Sequence, residues 1–271
     1  MINQPVGIIG AGNMASAIAR GIINKKVVVP SSVRMFDPDS EKLTGLVNAL
    51  NIIPETDNVS LVKNANIIIL AVKPNIYPNI IKEIRDTVDS SKIIVTIAAG
   101  QKISAIEDLF GKTISLVRVM PNTPALVGEG MSALTPNQFI SNENQNEVLT
   151  LFKCLGKAEL IPEKLMDAVT GISGSSPAFV FMFIEAMADA GVQAGMPRQQ
   201  AYTFAAQAVL GSAKMVLDSG QHPGALKDMV TSPSGTTIEG VLTLENKGFR
   251  GIVSQAVKDT IKKSIAMSKD N

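Results

Sequence analysis

The stretch that decides the fold of this chain is Gly7-Ile8-Ile9-Gly10-Ala11-Gly12-Asn13-Met14-Ala15. It places a GxGxxA turn between a predicted strand, Val6–Ile9, and a predicted helix, Ser16–Ile23. In such a turn Gly10 permits the tight bend, Gly12 lets the backbone approach a pyrophosphate, and Ala15 allows the helix to pack closely on the strand. An isolated GxGxxA can be a simple turn, but the strand-turn-helix context favours dinucleotide binding.

Further short runs rich in Ile and Val follow the glycine turn, at Val33–Phe36, Ile67–Val72, Ile93–Ile97 and Ile114–Met120. Runs that are apolar at nearly every position are typical of strands covered on both faces by helices. Polar or helical stretches separate them, which is the pattern of a doubly wound parallel sheet in an α/β fold. We predict that residues 1–162 form this domain.

Beyond Glu163 the pattern becomes helical. Ser176-Pro177 reads as an N-cap followed by proline in the first turn, and Gly195 closes that helix. A second helix is predicted from Pro197 to about Leu217, and a last one from about Gly251 to Ser268. Residues 163–271 are therefore predicted to be an all-α domain. Its helices carry more apolar surface than they can bury alone, so we expect an oligomer.

The charge balance argues against nucleic acid as a partner, because 25 basic and 24 acidic side chains give a net charge of +1 without a dense basic run. Apolar runs such as Ile67–Val72 and Ile93–Gly100 are shorter than the roughly 20 residues that span a bilayer. Residues 1–5 lack the order of a secretion signal. We therefore expect no membrane partner.

A single cysteine, Cys154, and a single histidine, His222, exclude several chemistries. No disulfide can form within the chain, and a Cys/His zinc site lacks ligands, so no metal is predicted. A Ser-His-Asp site would need His222, and no GxSxG turn accompanies it. We predict a structural or capping role for His222 and a cytoplasmic location for the protein.

Asp37 ends the second predicted strand, where an acidic side chain can accept a hydrogen bond from the adenosine ribose 2′-OH. The same carboxylate would repel a 2′-phosphate, which favours NAD. Arg34, Lys42 or a shifted loop could still admit NADP. Alternatively, Asp37 simply starts a turn in Asp37-Pro38-Asp39-Ser40.

Turns after two other predicted strands should line the same cleft, since ligands of open α/β sheets bind beyond the carboxyl ends of the strands. These cofactor-binding candidates are Ala71, Val72, Lys73, Pro74, Ala98, Ala99 and Gly100. Arg118 and Asn122 belong to the last predicted strand and its end. Asn122 is the better candidate for a polar contact on the nicotinamide side.

Six motifs extend over nearly the whole chain, and together they resemble the Δ1-pyrroline-5-carboxylate reductase family. They are Ile9-Gly10-Ala11-Gly12-Asn13-Met14, Leu70-Ala71-Val72-Lys73-Pro74, Arg118-Val119-Met120-Pro121-Asn122-Thr123-Pro124, Asp167-Ala168-Val169-Thr170-Gly171-Ile172-Ser173-Gly174-Ser175, His222-Pro223-Gly224-Ala225-Leu226-Lys227-Asp228 and Ser232-Pro233-Ser234-Gly235-Thr236-Thr237.

The resemblance implies reduction of L-1-pyrroline-5-carboxylate to L-proline with NADPH or NADH, the last step of proline biosynthesis. It implies an N-terminal Rossmann domain and a helical C-terminal domain that interlocks with a second copy, giving homodimers and, in several members, decamers. It also implies cofactor contacts along Gly10, Ala11, Gly12, Asn13 and Met14, and at Asn58.

For the substrate, the resemblance assigns the carboxylate to Ser232, Gly235 and Thr236. It places Thr237 beside the ring nitrogen, as the candidate catalytic residue with an orienting role. The loop precedes the segment 238–246, so it would lie at a helix N-terminus whose amides favour an anion. Without the resemblance, the motif would read as an ordinary N-capping turn.

The chain departs from the family pattern at Ser176 and Phe179, where glycine and tyrosine are usual, and at Ser234, where a second glycine is usual. Other functions stay open: a reductase of another cyclic imine or ketimine, a β-hydroxyacid dehydrogenase, or a dinucleotide sensor without catalysis. The dehydrogenase should carry a lysine on its long helix, and residues 176–194 contain none. The sensor should have lost the substrate loop, which is present.

Overall fold

The computed structural model describes residues 2–268, and within them eight strands form one sheet. The strand order is β3-β2-β1-β4-β5-β6-β7-β8. The strands are β1 Val6–Ile9, β2 Val33–Phe36, β3 Ile53–Pro54, β4 Ile67–Leu70, β5 Ile93–Thr96, β6 Ser115–Met120, β7 Gly130–Pro136 and β8 Gly156–Leu160.

Twelve α-helices accompany the sheet in this part of the chain. They are α1 Asn13–Asn24, α2 Ser40–Leu50, α3 Asn58–Asn64, α4 Tyr77–Ile84, α5 Ile103–Phe110, α6 Asn142–Lys153, α7 Met166–Val169, α8 Ser176–Gln193, α9 Arg198–Ser219, α10 Pro223–Met229, α11 Thr236–Asn246 and α12 Phe249–Met267.

The sheet core explains why its strands are apolar at every position. β4 lies between β1 and β5, with Ile69 opposite Ile8 and Val95. Ile67 and Ile69 belong to one buried cluster, and Ile68 and Leu70 belong to a second one on the opposite face of the sheet. Because successive side chains of a strand point to opposite faces, a strand covered on both faces must be apolar throughout. The α/β fold with a Rossmann-like sheet is confirmed.

The five predicted strands are present, and β4 and β5 are shorter than predicted because the chain leaves the sheet at Ala71 and Ile97. The short strands β3, β7 and β8 were not predicted. The sheet is also not wholly parallel, since β7 runs antiparallel to β6. Only a short connection joins Met120 to Gly130. A parallel crossover needs a dozen or more residues, so the chain can only turn back.

The described residues divide into two compact units. The sheet unit runs to Ser175 and takes in the end of α12 from Thr260. The helical unit comprises Ser176–Asp259. The predicted boundary after residue 162 stays a prediction, and the outermost residues of the two predicted domains, 1 and 269–271, lie outside the described residues.

The three helices predicted for the C-terminal part correspond to α8, α9 and α12, and Pro197 is the N-cap of α9. The predicted N-cap at Ser176 is wrong, because Ser176 is already the first residue of α8. A π-helical turn, Thr170–Gly174, precedes it and continues from α7. The helix therefore needs no separate start at Ser176.

By length and composition alone, the helical stretch Glu163–Gln193 qualifies as a candidate membrane span. The apolar runs considered from the sequence as possible spans, such as Ile67–Val72, are shorter and lie elsewhere in the chain. Only 11% of the apolar window of Glu163–Gln193 is buried within the chain. Its apolar side chains are therefore mostly uncovered within the described residues, which is compatible with the predicted oligomer.

Candidate functional site

The turn between β1 and α1 depends on Gly10. Its φ of +107° lies in the region that favours glycine. A Cβ placed on it would come within 2.7 Å of the Ala71 carbonyl oxygen, so a side chain would collide with the backbone after β4. The Gly10 N–H donates to the Phe36 carbonyl at 2.8 Å, which joins the turn to the end of β2. Gly10 thus brings three strand ends together.

Gly12 has a different role, because it leaves space open. It is the N-cap of α1, and no side chain among the described residues caps that helix. A Cβ on Gly12 would meet no described atom within 4 Å. Asn13 and Met14 follow in the first turn of α1, while Ala15 is fully buried. Free amides beside an open glycine suit a pyrophosphate, so these residues fit a dinucleotide cofactor.

The Asp37 carboxylate is held by backbone amides at the end of β2. Its Oδ2 accepts from the Ala11 N–H at 2.7 Å, and its Oδ1 accepts from the Asp39 N–H at 2.8 Å. The Ala11 amide is therefore turned toward Asp37. The carboxylate retains lone pairs that could accept a ribose hydroxyl.

The two cations considered for a 2′-phosphate are both in ion pairs. Lys42 Nζ lies 2.6 Å from Asp39, and Arg34 Nη1 lies 2.6 Å from Glu55. The hydrogen bond from Lys42 is the main cause that lowers the pKa of Asp39. A 2′-phosphate at this edge would therefore compete with carboxylates for its cations.

The predicted cofactor residues after β4 and β5 lie in turns at the carboxyl edge of the sheet. They are Ala71, Val72, Lys73 and Pro74 after β4, and Ala98, Ala99 and Gly100 after β5. Gly100 has a φ of +76°, so this turn also uses the conformational freedom of glycine.

Tyr77 ties these two strand ends together, and sequence reasoning missed it. Its hydroxyl donates to the Leu70 carbonyl at 2.7 Å and accepts from Thr96 Oγ1 at 2.9 Å. The side chain is fully buried, and burial raises its pKa to about 12. The hydroxyl therefore stays protonated at physiological pH and keeps both bonds. No sequence signal marks Tyr77, because its partners lie at the ends of two different strands.

Asn58 is the first residue of α3, directly after the N-cap Asp57. Its Nδ2 donates to Glu83 at 2.9 Å, while its buried Oδ1 has no hydrogen-bond partner within residues 2–268. A buried acceptor without a donor is costly, and a ligand could supply the missing donor. This feature is compatible with the predicted cofactor contact.

Asn122 and Arg118, by contrast, are engaged with protein groups. Asn122 Nδ2 donates to the Ser173 carbonyl at 3.0 Å, and its Oδ1 accepts from the Met131 N–H at 2.8 Å. Arg118 Nη1 lies 3.0 Å from Glu163 and is buried. The predicted contact of Asn122 with the cofactor stays a prediction.

The predicted substrate residues lie at the start of α11 in the helical unit. Gly235 is the N-cap, Thr236 and Thr237 are the first two helical residues, and no side chain in the described part of the chain caps this helix. A Cβ on Gly235 would collide with Ser232 Oγ, so glycine is needed for the serine hydroxyl to sit at the helix N-terminus. Exposed hydroxyls and free amides there suit a carboxylate.

Ser234 adopts a backbone conformation that suits the glycine expected here from the resemblance. Its φ is +58°, in the left-handed region that costs a non-glycine residue energy. The departure from the expected pattern therefore places a non-glycine residue in a strained backbone conformation.

His222 is the N-cap of α10, and its Nδ1 accepts from the Gly224 N–H at 3.0 Å. The predicted capping role is confirmed. The predicted cofactor residues all belong to the sheet unit and the predicted substrate residues to the helical unit.

Comparison with known proteins identifies the family. A sequence model described as pyrroline-5-carboxylate reductase dimerisation matches residues 163–267, and one described as NADP oxidoreductase coenzyme F420-dependent matches residues 5–100. The chain is 47% identical over 268 residues to pyrroline-5-carboxylate reductase of Escherichia coli K12, covering 99% of this chain and 100% of that protein.

Two further comparisons agree. The chain is 46% identical to pyrroline-5-carboxylate reductase of Methanosarcina acetivorans, covering 95% of each chain. The crystal structure of Plasmodium falciparum pyrroline carboxylate reductase with NADP bound superposes with a TM-score of 0.90 at 35% identity, covering 99% of each chain. The chain therefore belongs to the pyrroline-5-carboxylate reductase family.

Proposed function

We propose that this protein catalyses NAD(P)H-dependent hydride transfer to the imine carbon of L-1-pyrroline-5-carboxylate, giving L-proline as the last step of proline biosynthesis. The observation that carries the proposal is the 47% identity over 99% of the chain to a protein of that name. The geometry supports it, because α1 and α11 each begin without a side-chain cap from the described residues. The N-terminus of α1 suits a pyrophosphate, and the N-terminus of α11 suits a substrate carboxylate.

A nicotinamide cofactor, when bound, supplies the hydride. On the protein side, Gly10–Met14 and the turns after β4 and β5 would hold the dinucleotide. Asn58, at the start of α3, and Asp37, after β2, would contribute polar contacts to the dinucleotide. The protein's main contribution is orientation of the reacting groups.

At the substrate loop, Ser232, Gly235 and Thr236 would bind the carboxylate. Thr237 would orient the ring nitrogen with its hydroxyl. A hydroxyl is a poor acid at neutral pH, so the ring nitrogen would take its proton from solvent or already carry it as an iminium. Hydrogen bonds to a charged group contribute on the order of 1.5–3 kcal/mol each, enough to set substrate affinity.

The family model for the helical part supports a homo-oligomer. We propose a homodimer built through the helical unit, with decamers as the next level of assembly. We also propose a cytoplasmic location, because a lone buried cysteine suits a reducing compartment.

The reaction is tested with purified protein and pyrroline-5-carboxylate, by following the absorbance of NADH and of NADPH in separate assays and by identifying proline as product. Turnover supports the proposal, and the ratio between the cofactors reports whether Asp37 selects the ribose hydroxyl. Measurable cofactor binding without turnover would redirect the assignment to another cyclic imine.

The role of Thr237 is tested with Thr237→Ala, with Thr237→Ser as the matched control that keeps the hydroxyl. We expect Thr237→Ala to lower kcat on the order of tenfold or more, as expected for one hydrogen bond to a charged group, while the KM of the cofactor stays unchanged. Thr237→Ser should keep most of the activity. Unchanged steady-state constants in Thr237→Ala would contradict the assignment.

A further inference from the structure

The π-helical turn Thr170–Gly174 is a motif to which the proposed mechanism assigns no role. Its register is seen in the Ser175 N–H, which donates to the Thr170 carbonyl five residues earlier at 2.9 Å. Such turns are rare and occur often at functional sites. The Ser173 carbonyl lies in this turn, and the residue four positions later is Pro177. Proline has no N–H, so the ordinary α-helical bond to this carbonyl cannot form.

Asn122 supplies a donor to that carbonyl. Its Nδ2 lies 3.0 Å from the Ser173 oxygen, and its Oδ1 accepts from the Met131 N–H at 2.8 Å. The side chain is only 9% exposed. One amide therefore joins the end of β6, the start of β7 and the π-helical turn, and both of its polar atoms are used in doing so.

The connection between β6 and β7 also supports the cofactor-binding helix. A 3-10 turn in this connection, Thr123–Val127, packs against α1. Its Ala125 is buried in the same cluster as Ala15 and Ile18 of that helix. Asn122 is the N-cap residue of the 3-10 turn. It thus lies between the segment that supports α1 and the π-helical turn.

We propose that Asn122 is a positioning residue for hydride transfer. Its amide group satisfies the Ser173 carbonyl that Pro177 leaves without an α-helical donor, and so keeps the π-helical turn in its register beside the end of β6. This role rests on the proposed function. It differs from a direct contact with the nicotinamide, because Asn122 acts through Ser173 and not on the cofactor.

The first variant is Asn122→Asp, which keeps the acceptor for Met131 and removes the donor to Ser173. We expect kcat to fall about tenfold, the size associated with one buried hydrogen bond, and the KM of NADPH to stay within about twofold. A raised KM of NADPH with unchanged kcat would indicate a direct cofactor contact and overturn the proposal.

The second variant tests the physical cause. Pro177→Ala introduces an N–H four residues after Ser173, so the carbonyl gains a helical donor. Alone it should leave kcat nearly unchanged, while in the Asn122→Asp background it should restore most of the lost kcat. An unchanged loss in the double variant would overturn the proposal. If Asn122→Asp does not fold, recovery of folding in the double variant supports the proposal, and continued failure overturns it.

A readout independent of turnover separates this proposal from the proposed function. Hydrogen exchange of the Ser175 amide should accelerate in Asn122→Asp and slow again in the double variant. If the unchanged protein does not reduce pyrroline-5-carboxylate, the proposed function fails. The exchange data still decide whether Asn122 holds the turn, and unaltered exchange in Asn122→Asp would overturn that.

Discussion

The sheet unit and the helical unit differ in how completely they bury their apolar side chains. In the sheet unit, all four residues of β4 are 0% exposed. In the helical unit, the only buried residue of α8 is Ala188, and α9 buries only Ala201 and Ala205. Phe181 and Phe204 on these helices are 62% and 67% exposed.

The two units therefore differ in what covers their apolar side chains. The sheet is covered by helices of the same chain, so its fold does not require a partner. Fully burying one phenylalanine side chain is favourable by about 1.5–3 kcal/mol, which the helical unit forgoes unless a second copy covers it. We therefore expect assembly to depend on the helical unit and cofactor binding to depend on the sheet unit.

The largest effect is expected where a charge enters the uncovered helical surface. Phe181→Asp should weaken self-association on the order of 100-fold or more, as for a truncated interface hot spot, and light scattering should report a smaller species. Val127→Asp is the control in the sheet unit, since Val127 is 77% exposed and lies outside the matched dimerisation segment. An unchanged mass for Phe181→Asp would contradict the expectation that assembly depends on the helical unit.

The next effect separates folding from cofactor binding within the sheet unit. Gly10→Ala forces a side chain into positive φ and against the Ala71 carbonyl, so it should cost about 2–4 kcal/mol of unfolding free energy and abolish cofactor binding. Gly12→Ala has space for its methyl group, so it should weaken cofactor binding at least tenfold, with unchanged stability. Denaturant unfolding and cofactor titration measure both. Equal destabilisation by the two variants would contradict their separate roles.

A smaller effect compares the two tyrosines of the chain. Tyr77→Phe removes the hydroxyl shared by Leu70 and Thr96, so it should destabilise the protein by about 1–2 kcal/mol and raise the KM of the cofactor several-fold. Tyr202→Phe, on the helical unit, should change the free energy of unfolding by less than about 0.5 kcal/mol. Thermal unfolding measures both variants. Similar losses of stability in the two variants would contradict a specific contribution from the Tyr77 hydrogen bonds.

The smallest effect concerns backbone strain in the substrate loop. Ser234→Gly relieves a positive φ of +58° and should raise the free energy of unfolding by about 0.5–1 kcal/mol, with kcat little changed. Asn51→Gly is its counterpart in the sheet unit, with a φ of +54°. Asparagine tolerates this region, so the gain there should be smaller. Calorimetry measures both, and a loss of stability in Ser234→Gly would refute the strain.

The elements of the fold that could be predicted from the sequence are those set by a local pattern of apolar residues. β4 and β5 were predictable because a strand buried on both faces must be continuously apolar. β7 was not, because Gly130–Pro136 has no such run and pairs antiparallel through a contact that local sequence does not encode. The N-cap at Ser176 was misread for a related reason, since the preceding turn continues the helix from α7.

The residues of the candidate site also differ in whether local sequence could predict their roles. The glycine turn could be predicted from its own residues, because they act together within a short segment. The substrate loop was predicted only from the resemblance of its motif. His222 was readable as a cap, since the bond from Gly224 is local. Tyr77 and the bonds of Asn122 could not be predicted, because their partners belong to other elements of the fold, whose positions no local pattern gives.

From the sequence alone, apolar periodicity and glycine spacing indicated the class of fold, because both act within a few residues. The family followed from the resemblance of six motifs. The tertiary structure was needed for the strand order, the reversal of β7, the burial of Tyr77 and the two partners of Asn122. Those features depend on hydrogen bonds and packing between separate elements of the fold, whose energies no local pattern records.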